Sequence, residues 1–409
     1  MDKTIGVIGL GYVGLPLALT AVESGWNVIG YDKNPDLIRG LLSGNSHIDD
    51  VSNERLMTGI SGGEFSLVDS PNSLSKVDIC IICVPTPTTI DHHPDLTYVK
   101  SAANLISKIL NPNCVIVNES TSYPGTLRNV IQQEIAITRA DLGDIAGYVA
   151  APERVDPKNT QFNHSNTPRV LGGDDSVQVQ RVSDFYRSLG PEVKVVSSPE
   201  AAELSKLVEN AFRLVNISFV NELAPYASAL GVDLIEVLNA AATKPFGFMK
   251  FTPGPGVGGH CIPVDPHYLL DSASRLDVEL PVLNSAIEVN LKVPQKILGK
   301  VQEILGHDSK STVLLIGIAY KYGISDTRET PALQIAEGLV KLGCNVFWTD
   351  DAVTTWELAQ KYSGQKIDLA IALSSSSLSQ LEQVPGHVRI LDCTGNYSSL
   401  SNVISYFNS

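Results

Sequence analysis

Positive charge is scarce in this 409-residue chain: 30 Lys and Arg stand against 44 Asp and Glu, a formal net charge of −14. An acidic surface disfavours nonspecific binding of nucleic acid or anionic lipid, so an anionic ligand has to be met by a few locally placed cations. Cysteine is sparse as well. Cys80, Cys83, Cys114, Cys261, Cys344 and Cys393 lie scattered, without the regular spacing of a secreted disulfide framework, and this points to a reducing cytoplasm. The first residues, Met1-Asp2-Lys3-Thr4, run straight into a strand pattern instead of a basic region followed by an apolar run, so a secretory signal is not expected. Long hydrophobic runs are missing too. Val313 to Ala319 is interrupted by Gly317, far short of the roughly 18 to 20 residues of a membrane span. With 18% charged and 43% hydrophobic residues, disordered and fibrous classes are excluded, and the length suits two or three domains that need no disulfide staples.

Short β-branched apolar runs alternate with helical patterns through the first half: Thr4 to Ile8, Asn27 to Tyr31, Val77 to Val84, Cys114 to Asn118 and Gly147 to Ala150. Such alternation predicts a parallel sheet wrapped by helices. Ala201 to Leu230 then reads as one long helix interrupted only by Pro225, with more helix at Val232 to Ala242 and Val282 to Leu305. From Thr312 the strand and helix alternation resumes, with a strand through Ala319, a helix from about Thr330 to Leu342 and strands at Asn345 to Thr349, near Leu369 and near Ile390. The predicted class is α/β, two Rossmann-like parallel-sheet domains joined by a long central helix and a helical middle layer, divided as 1–198, 199–308 and 309–409.

Strand Ile5 to Ile8 leads into Gly9-Leu10-Gly11-Tyr12-Val13-Gly14 and an apolar helix, and the next strand delivers Asp32. In a dinucleotide fingerprint the first glycine permits the tight turn, the second lets backbone approach a pyrophosphate, and the third lets helix and strand pack closely. The helix N-terminus offers N–H groups and partial positive charge to phosphate. Asp32 suits ribose hydroxyls and repels a 2′-phosphate, which favours NAD over NADP. Lys33 beside it is either a phosphate partner or a solvated surface lysine.

Lys206, Asn210 and Arg213 fall along one helix face, matching a site for phosphate or sugar, while Leu204, Leu207, Val208, Ala211, Leu214 and Val215 are expected to bury the rest. The segment Pro253 to Pro266 holds four glycines and four prolines in fourteen residues, a rigid loop whose backbone can approach a ligand. It presents Cys261 and, four residues on, Asp265. His260, Cys261, Asp265 and His267 fit zinc spacing poorly, so no metal is expected. Cys80 and Cys83 sit at an odd offset in a strand, which points their sulfurs to opposite faces and makes redox pairing unfavourable. Beside NAD a cysteine thiolate has an evident use: it adds to an aldehyde, and the adduct gives up hydride to become a hydrolysable thioester. A single-step NAD alcohol dehydrogenase would share the fingerprint and the helical middle but have no need of Cys261.

With these motifs in this order, the chain resembles the nucleotide-sugar 6-dehydrogenases, the UDP-glucose and UDP-N-acetylhexosamine dehydrogenase family. Matching motifs run from Ile5 to Asp392: Gly9 to Gly14, Cys83-Val84-Pro85-Thr86-Pro87, Glu119-Ser120-Thr121 with Pro124-Gly125-Thr126, Pro152-Glu153-Arg154-Val155, the Glu203 to Asn210 helix, Gly258 to Asp265, and Tyr320-Lys321 with Asp326-Thr327-Arg328. The resemblance implies an NAD domain, a central dimerisation helix, giving a homodimer or higher homo-oligomer, and a UDP-sugar domain, with oxidation of a sugar C6 alcohol to a carboxylate and reduction of two NAD. It implies Cys261 as nucleophile, Lys206 and Asn210 at the oxyanion, Asp265 in proton and water chemistry, and Thr121 and Glu153 on the cofactor and water side. Gly9, Gly11, Tyr12, Val13, Gly14, Asp32, Lys33, Pro85, Thr86, Thr121 and Arg328 are the implied cofactor contacts. Arg154, Val155, Lys206, Asn210, Arg213, Gly258, Tyr320 and Lys321 are the implied substrate contacts. Gly259-His260-Cys261-Ile262 and Thr243 to Met249 look most like the UDP-N-acetylglucosamine 6-dehydrogenase branch, with Phe246, Phe248 and Met249 as the niche for an acetamide methyl and Arg154 or His260 as donor to its carbonyl. The alternatives are a UDP-glucose 6-dehydrogenase, a UDP-N-acetylmannosamine dehydrogenase and, against the intact Cys261, Lys206, Asn210 and Asp265, a non-catalytic NAD and nucleotide-sugar binding protein.

Overall fold

The apolar runs become strands because each is flanked by turn-forming residues and buried on both faces: β4 (Ile79–Ile82) and β5 (Val115–Asn118) are buried along their whole length. The computed structural model describes residues 3–89, 91–140, 146–156, 159, 161–259, 261–306, 310–374, 378–397 and 400–407. By packing, the chain divides into Met1–Glu209 with His267–Asp277, and Asn210–Pro266 with Val278–Ser409, a division that falls inside the helix Pro199–Leu230.

In the first unit, β1 (Thr4–Ile8), β2 (Asn27–Tyr31), β3 (Phe65–Val68), β4, β5, β6 (Gly147–Ala150), β7 (Arg169–Gly173) and β8 (Val193–Val195) form one sheet in the order β3-β2-β1-β4-β5-β6-β7-β8. The order reverses between β1 and β4, where an open α/β sheet binds its ligand. One pair departs from the expected parallel sheet. β6 and β7 are antiparallel, Val149 facing Gly173, because the described residues between them contain no crossover helix to carry the chain back to the other end.

The second unit contains β9 (Thr312–Ile316), β10 (Asn345–Thr349), β11 (Gln360–Lys361), β12 (Leu369–Ala372), β13 (Arg389–Asp392) and β14 (Val403–Ser405), all parallel, in the order β11-β10-β9-β12-β13-β14. The two sheets repeat one another residue for residue at their centres. Ile8 is level with Tyr31 and Ile82, and Ile82 with Asn118. Ile316 is level with Thr349 and Ala372, and Ala372 with Asp392. The loop bonds repeat as well: Gly9 N donates to Tyr31 O and Gly317 N to Thr349 O, both at 2.9 Å.

Candidate active site

After β1 the chain turns at Gly9, whose φ of +91° lies in the left-handed region, and a Cβ there would meet Cys83 O at 2.5 Å. At Gly14 a Cβ would sit 1.9 Å from Gly9 O, so the helix Gly14–Glu23 can pack on the turn only without a side chain. Gly11 differs, with nothing among the described residues within 4 Å of a built Cβ. Backbone is therefore open to a phosphate there, and Val13 forms no side-chain cap that would occupy the helix N-terminus. Asp32 lies against this turn, its Oδ2 accepting from Leu10 N at 3.0 Å and its Oδ1 from Asn34 N at 2.9 Å. These residues fit NAD: an open glycine and helix N-terminus for the pyrophosphate, and a carboxylate at the ribose. Tyr12 is exposed beside the turn. Lys33 stacks its ammonium 4.3 Å from the centre of the Tyr98 ring, a partner the sequence reading did not foresee.

Across the switch point, Pro85 is exposed and Thr86 half-buried beyond β4. Their strand end is clamped by Ser120, whose Oγ accepts from Val84 N at 2.9 Å and donates to Val84 O at 2.8 Å. Thr121 follows it, half-buried.

Glu153 is buried, and both its oxygens are engaged. Oε1 accepts from Arg154 N at 2.6 Å and Val155 N at 2.7 Å, and Oε2 stands 2.7 Å from Arg169 Nη1. Arg169 is only 1% exposed and also faces Glu119 at 3.4 Å, while Tyr186 donates to Glu119 Oε1. Burial would raise both carboxyls. In Glu153 it is outweighed by Arg169, by His164 and by the two amides, so its pKa falls; in Glu119 burial prevails and the neighbouring Glu153 charge adds to it, so its pKa rises. Burial lowers His164 to about 4, leaving a neutral ring whose Nδ1 accepts from Arg169 Nη2 at 3.0 Å. Arg154 is tied to Glu209 at 2.6 Å and to Pro168 O at 2.7 Å.

On the helix Pro199–Leu230, Lys206 and Asn210 are 8% and 4% exposed, whereas Arg213 is exposed. The expected apolar burial is partly reversed, since Leu204 and Val208 are exposed with Phe212. Asn210 donates from Nδ2 to Asp265, which is buried and opens the helix Asp265–Ser274. Asp265 N donates back to Cys261 O at 2.9 Å, so the cysteine loop ends in a helical turn with an exposed thiol outside any disulfide. Gly258 and Gly259 lie flat on Tyr320: a Cβ on either would come within 2.7 Å of that side chain. Phe246, Phe248 and Met249 are exposed, with the Lys244 ammonium over the Phe246 ring. His260 lies outside the described residues.

The second unit holds a cavity of about 410 Å³ at its own switch point, walled by Thr252 to Gly256 on one side and by Gly317, Tyr320 and Lys321 on another. Asp350 repeats the Asp32 arrangement, Oδ2 accepting from Ile318 N at 2.9 Å. Here Ala319 and Tyr322 stand where the fingerprint has its second and third glycines, and Lys321 lines the cavity. Arg328 is exposed and forks onto Asp326, Nε at 2.8 Å and Nη2 at 2.7 Å.

Sequence reasoning missed Arg169, His164 and Tyr186, whose partners come from separate elements, and the role of Glu203. Buried on the long helix, Glu203 accepts from Gly125 N at 2.6 Å and Leu127 N at 2.8 Å, holding the Pro124-Gly125-Thr126 segment.

Among the described residues no helix is long and apolar enough to cross a membrane. Three models of the UDP-glucose/GDP-mannose dehydrogenase family match: the NAD binding domain over residues 3–190, the central domain over 200–292 and the UDP binding domain over 314–384. The chain is 34% identical to a UDP-N-acetyl-D-mannosamine dehydrogenase of Pyrococcus horikoshii over 81% of this chain and 80% of the relative. It is 35% identical to the UDP-N-acetyl-D-mannosamine dehydrogenase of Escherichia coli K12 over 82% of each. A solved UDP-D-ManNAc dehydrogenase from Pyrococcus horikoshii superposes with a TM-score of 0.86 at 28% identity, covering 96% of both chains. With its NAD cradle and its second Rossmann unit, the chain belongs to the UDP-glucose/GDP-mannose dehydrogenase family and is an NAD-dependent UDP-sugar dehydrogenase.

Proposed function

We propose that the protein carries the C6 alcohol of a UDP-2-acetamido sugar to the carboxylate in one four-electron oxidation through Cys261. The observation that supports this most is the exposed Cys261 thiol at the end of a braced glycine and proline loop, beside the buried Asn210–Asp265 pair. Bound NAD supplies the two-electron hydride acceptor, and two are consumed. The Cys261 thiolate adds through Sγ to the C6 aldehyde, the hemithioacetal loses hydride and a proton to become a thioester, and water cleaves it and frees Sγ. In all, two hydrides and three protons leave the substrate and water. Lys206 and Asn210 stabilise the C6 oxyanion, and burial strengthens that interaction. Asp265 accepts and returns protons. Glu153, with both oxygens engaged, acts as a fixed anion that shapes the water side next to Thr121.

The second-unit cavity takes the nucleoside diphosphate, with Lys321 at its phosphates and Tyr320 under the glycine pair. Arg154, Val155 and Arg213 remain proposed substrate contacts, and Arg328 and Lys33 proposed cofactor contacts, each exchanging its present partner for the ligand where it has one. The division 1–198, 199–308 and 309–409 is proposed as the functional one. Scattered free cysteines support a cytoplasmic setting.

For the sugar, the Gly259 to Ile262 and Thr243 to Met249 segments support UDP-N-acetylglucosamine, whereas the names of the relatives support UDP-N-acetyl-D-mannosamine. Both carry the acetamide. A site that bonds an acetamide leaves polar groups unpaired with UDP-glucose, a loss of about 1 to 3 kcal/mol. A panel of UDP-sugars at fixed NAD should give kcat/KM for the better acetamido sugar roughly 5- to 150-fold above UDP-glucose. Efficient turnover of UDP-glucose, with none of any acetamido sugar, would reject the proposed substrate class.

A further inference from the structure

The cysteine loop is irregular, yet its backbone does not float. Gly254 N donates to Asn221 Oδ1 at 2.9 Å, and Val257 N donates to Asn290 Oδ1 at 2.8 Å. The two asparagines come from different helices, Pro199–Leu230 and Pro281–Leu305. These helices are locked together by Ser218, buried, donating to Ala286 O at 2.7 Å. Asn221 follows Ser218 by three residues and Asn290 follows Ala286 by four, so each lies on the face of its helix that carries the lock. The orientation of Asn221 is fixed by chemistry, since its partner is an N–H and only Oδ1 can accept from it. Its Nδ2 is buried with no partner among the described residues, so the oxygen is the half of the amide the structure uses. Beyond Val257 the loop is held again, Gly259 N donating to Arg328 O at 3.3 Å over the Tyr320 ring.

We infer that Asn221 and Asn290 are positioning residues for Cys261: two amide oxygens on locked helices hold the backbone that forms one wall of the second-unit cavity and then leads to the thiol. The inference rests on Cys261 as nucleophile. Thr252 to Gly256 wall the cavity, and Val257 stands four residues before the thiol, so the Asn290 bond lies between the nucleotide wall and Cys261. Neither asparagine has to touch substrate to act. A loop released by even about 1 Å loses alignment of its nucleophile, which costs as much as about 100-fold in rate.

The test compares Asn290→Ala, which removes the acceptor, with Asn290→Asp, which keeps an oxygen at Oδ1. Expected for Asn290→Ala is a kcat about 10- to 100-fold lower with KM for NAD unchanged, and for Asn290→Asp a kcat within about 3-fold of the parent. Amide hydrogen exchange supplies the second readout. The peptide spanning Gly254 to Val257 should be protected in the parent and in Asn290→Asp, and should exchange at least about 10-fold faster in Asn290→Ala. If Asn290→Ala does not fold, Asn221→Ala takes its place with the same expectations. A parent-like kcat in the alanine variant, an aspartate variant as slow as the alanine one, or unprotected Gly254 and Val257 amides in the parent would each overturn the inference. Absence of turnover of every UDP-sugar by the parent would instead defeat the proposed function, and the exchange measurement would still decide whether the brace exists.

Discussion

Arg169 is a guanidinium held almost wholly out of water between two carboxylates, with His164 and Tyr186 closing the remaining sides. Burying such a charge is tolerable only when its partners are in place, and removing one is far more destabilising than the intact pair is stabilising. His164 makes this cluster sensitive to acid. Burial holds its folded pKa at about 4, below the ordinary 6.5, so the unfolded chain takes up a proton that the folded chain refuses as pH falls from about 6.5 towards 4. Its contribution to stability is complete above that window and fades within it, by about 2 kcal/mol between pH 7 and pH 5. Chemical denaturation at the two pH values should therefore show a steeper acid loss in the parent than in His164→Asn. Equal slopes would remove His164 from the account. None of this was legible from the sequence, in which Glu119, Glu153, His164, Arg169 and Tyr186 are separate polar letters and no spacing rule links them.

At the scale of elements, the ranges of β1, β2, β6 and β10 match the apolar runs exposed by the sequence, because a strand covered on both faces writes itself as a continuous run. β7 and β8 were not read. β8 is three residues with a lysine at its centre, and β7 ends in two glycines and joins β6 antiparallel through a connection that lacks the helix by which βαβ units announce themselves. The structure separates the glycines by space: Gly9 and Gly14 have no room for a side chain, while Gly11 does. Gly14→Ala drives a methyl to within 1.9 Å of Gly9 O, an overpacking that should cost about 1 to 3 kcal/mol or more. Gly11→Ala meets nothing among the described residues within 4 Å, so its unfolding midpoint should stay near the parent while NAD affinity falls at least about tenfold. Calorimetry of the three proteins with and without NAD checks both halves. If Gly11→Ala lost stability and kept NAD binding, the assignment of the two glycines would be reversed. The burial of Leu204 and Val208 was misjudged for a general reason: helical periodicity identifies an apolar face but not what covers it.

That face is a property of the whole molecule. Leu204, Val208, Phe212, Phe219, Tyr226 and Leu230 are exposed along one helix, at spacings of four and seven that keep them on a single stripe. Apolar patches of this extent mark association sites, and a second copy of the chain is the occupant the family resemblance implies. Light scattering should find a dimer in the parent and a monomer in Val208→Glu/Phe212→Glu; a monomeric parent would contradict this. The chemistry itself is decided by counting. Purified protein with excess NAD and a limiting, quantified acetamido UDP-sugar should form two NADH per sugar consumed, with uronate as product and no accumulating aldehyde, and Cys261→Ser should lose uronate formation by orders of magnitude. One NADH per sugar with free aldehyde, or undiminished uronate from Cys261→Ser, would contradict oxidation through the cysteine.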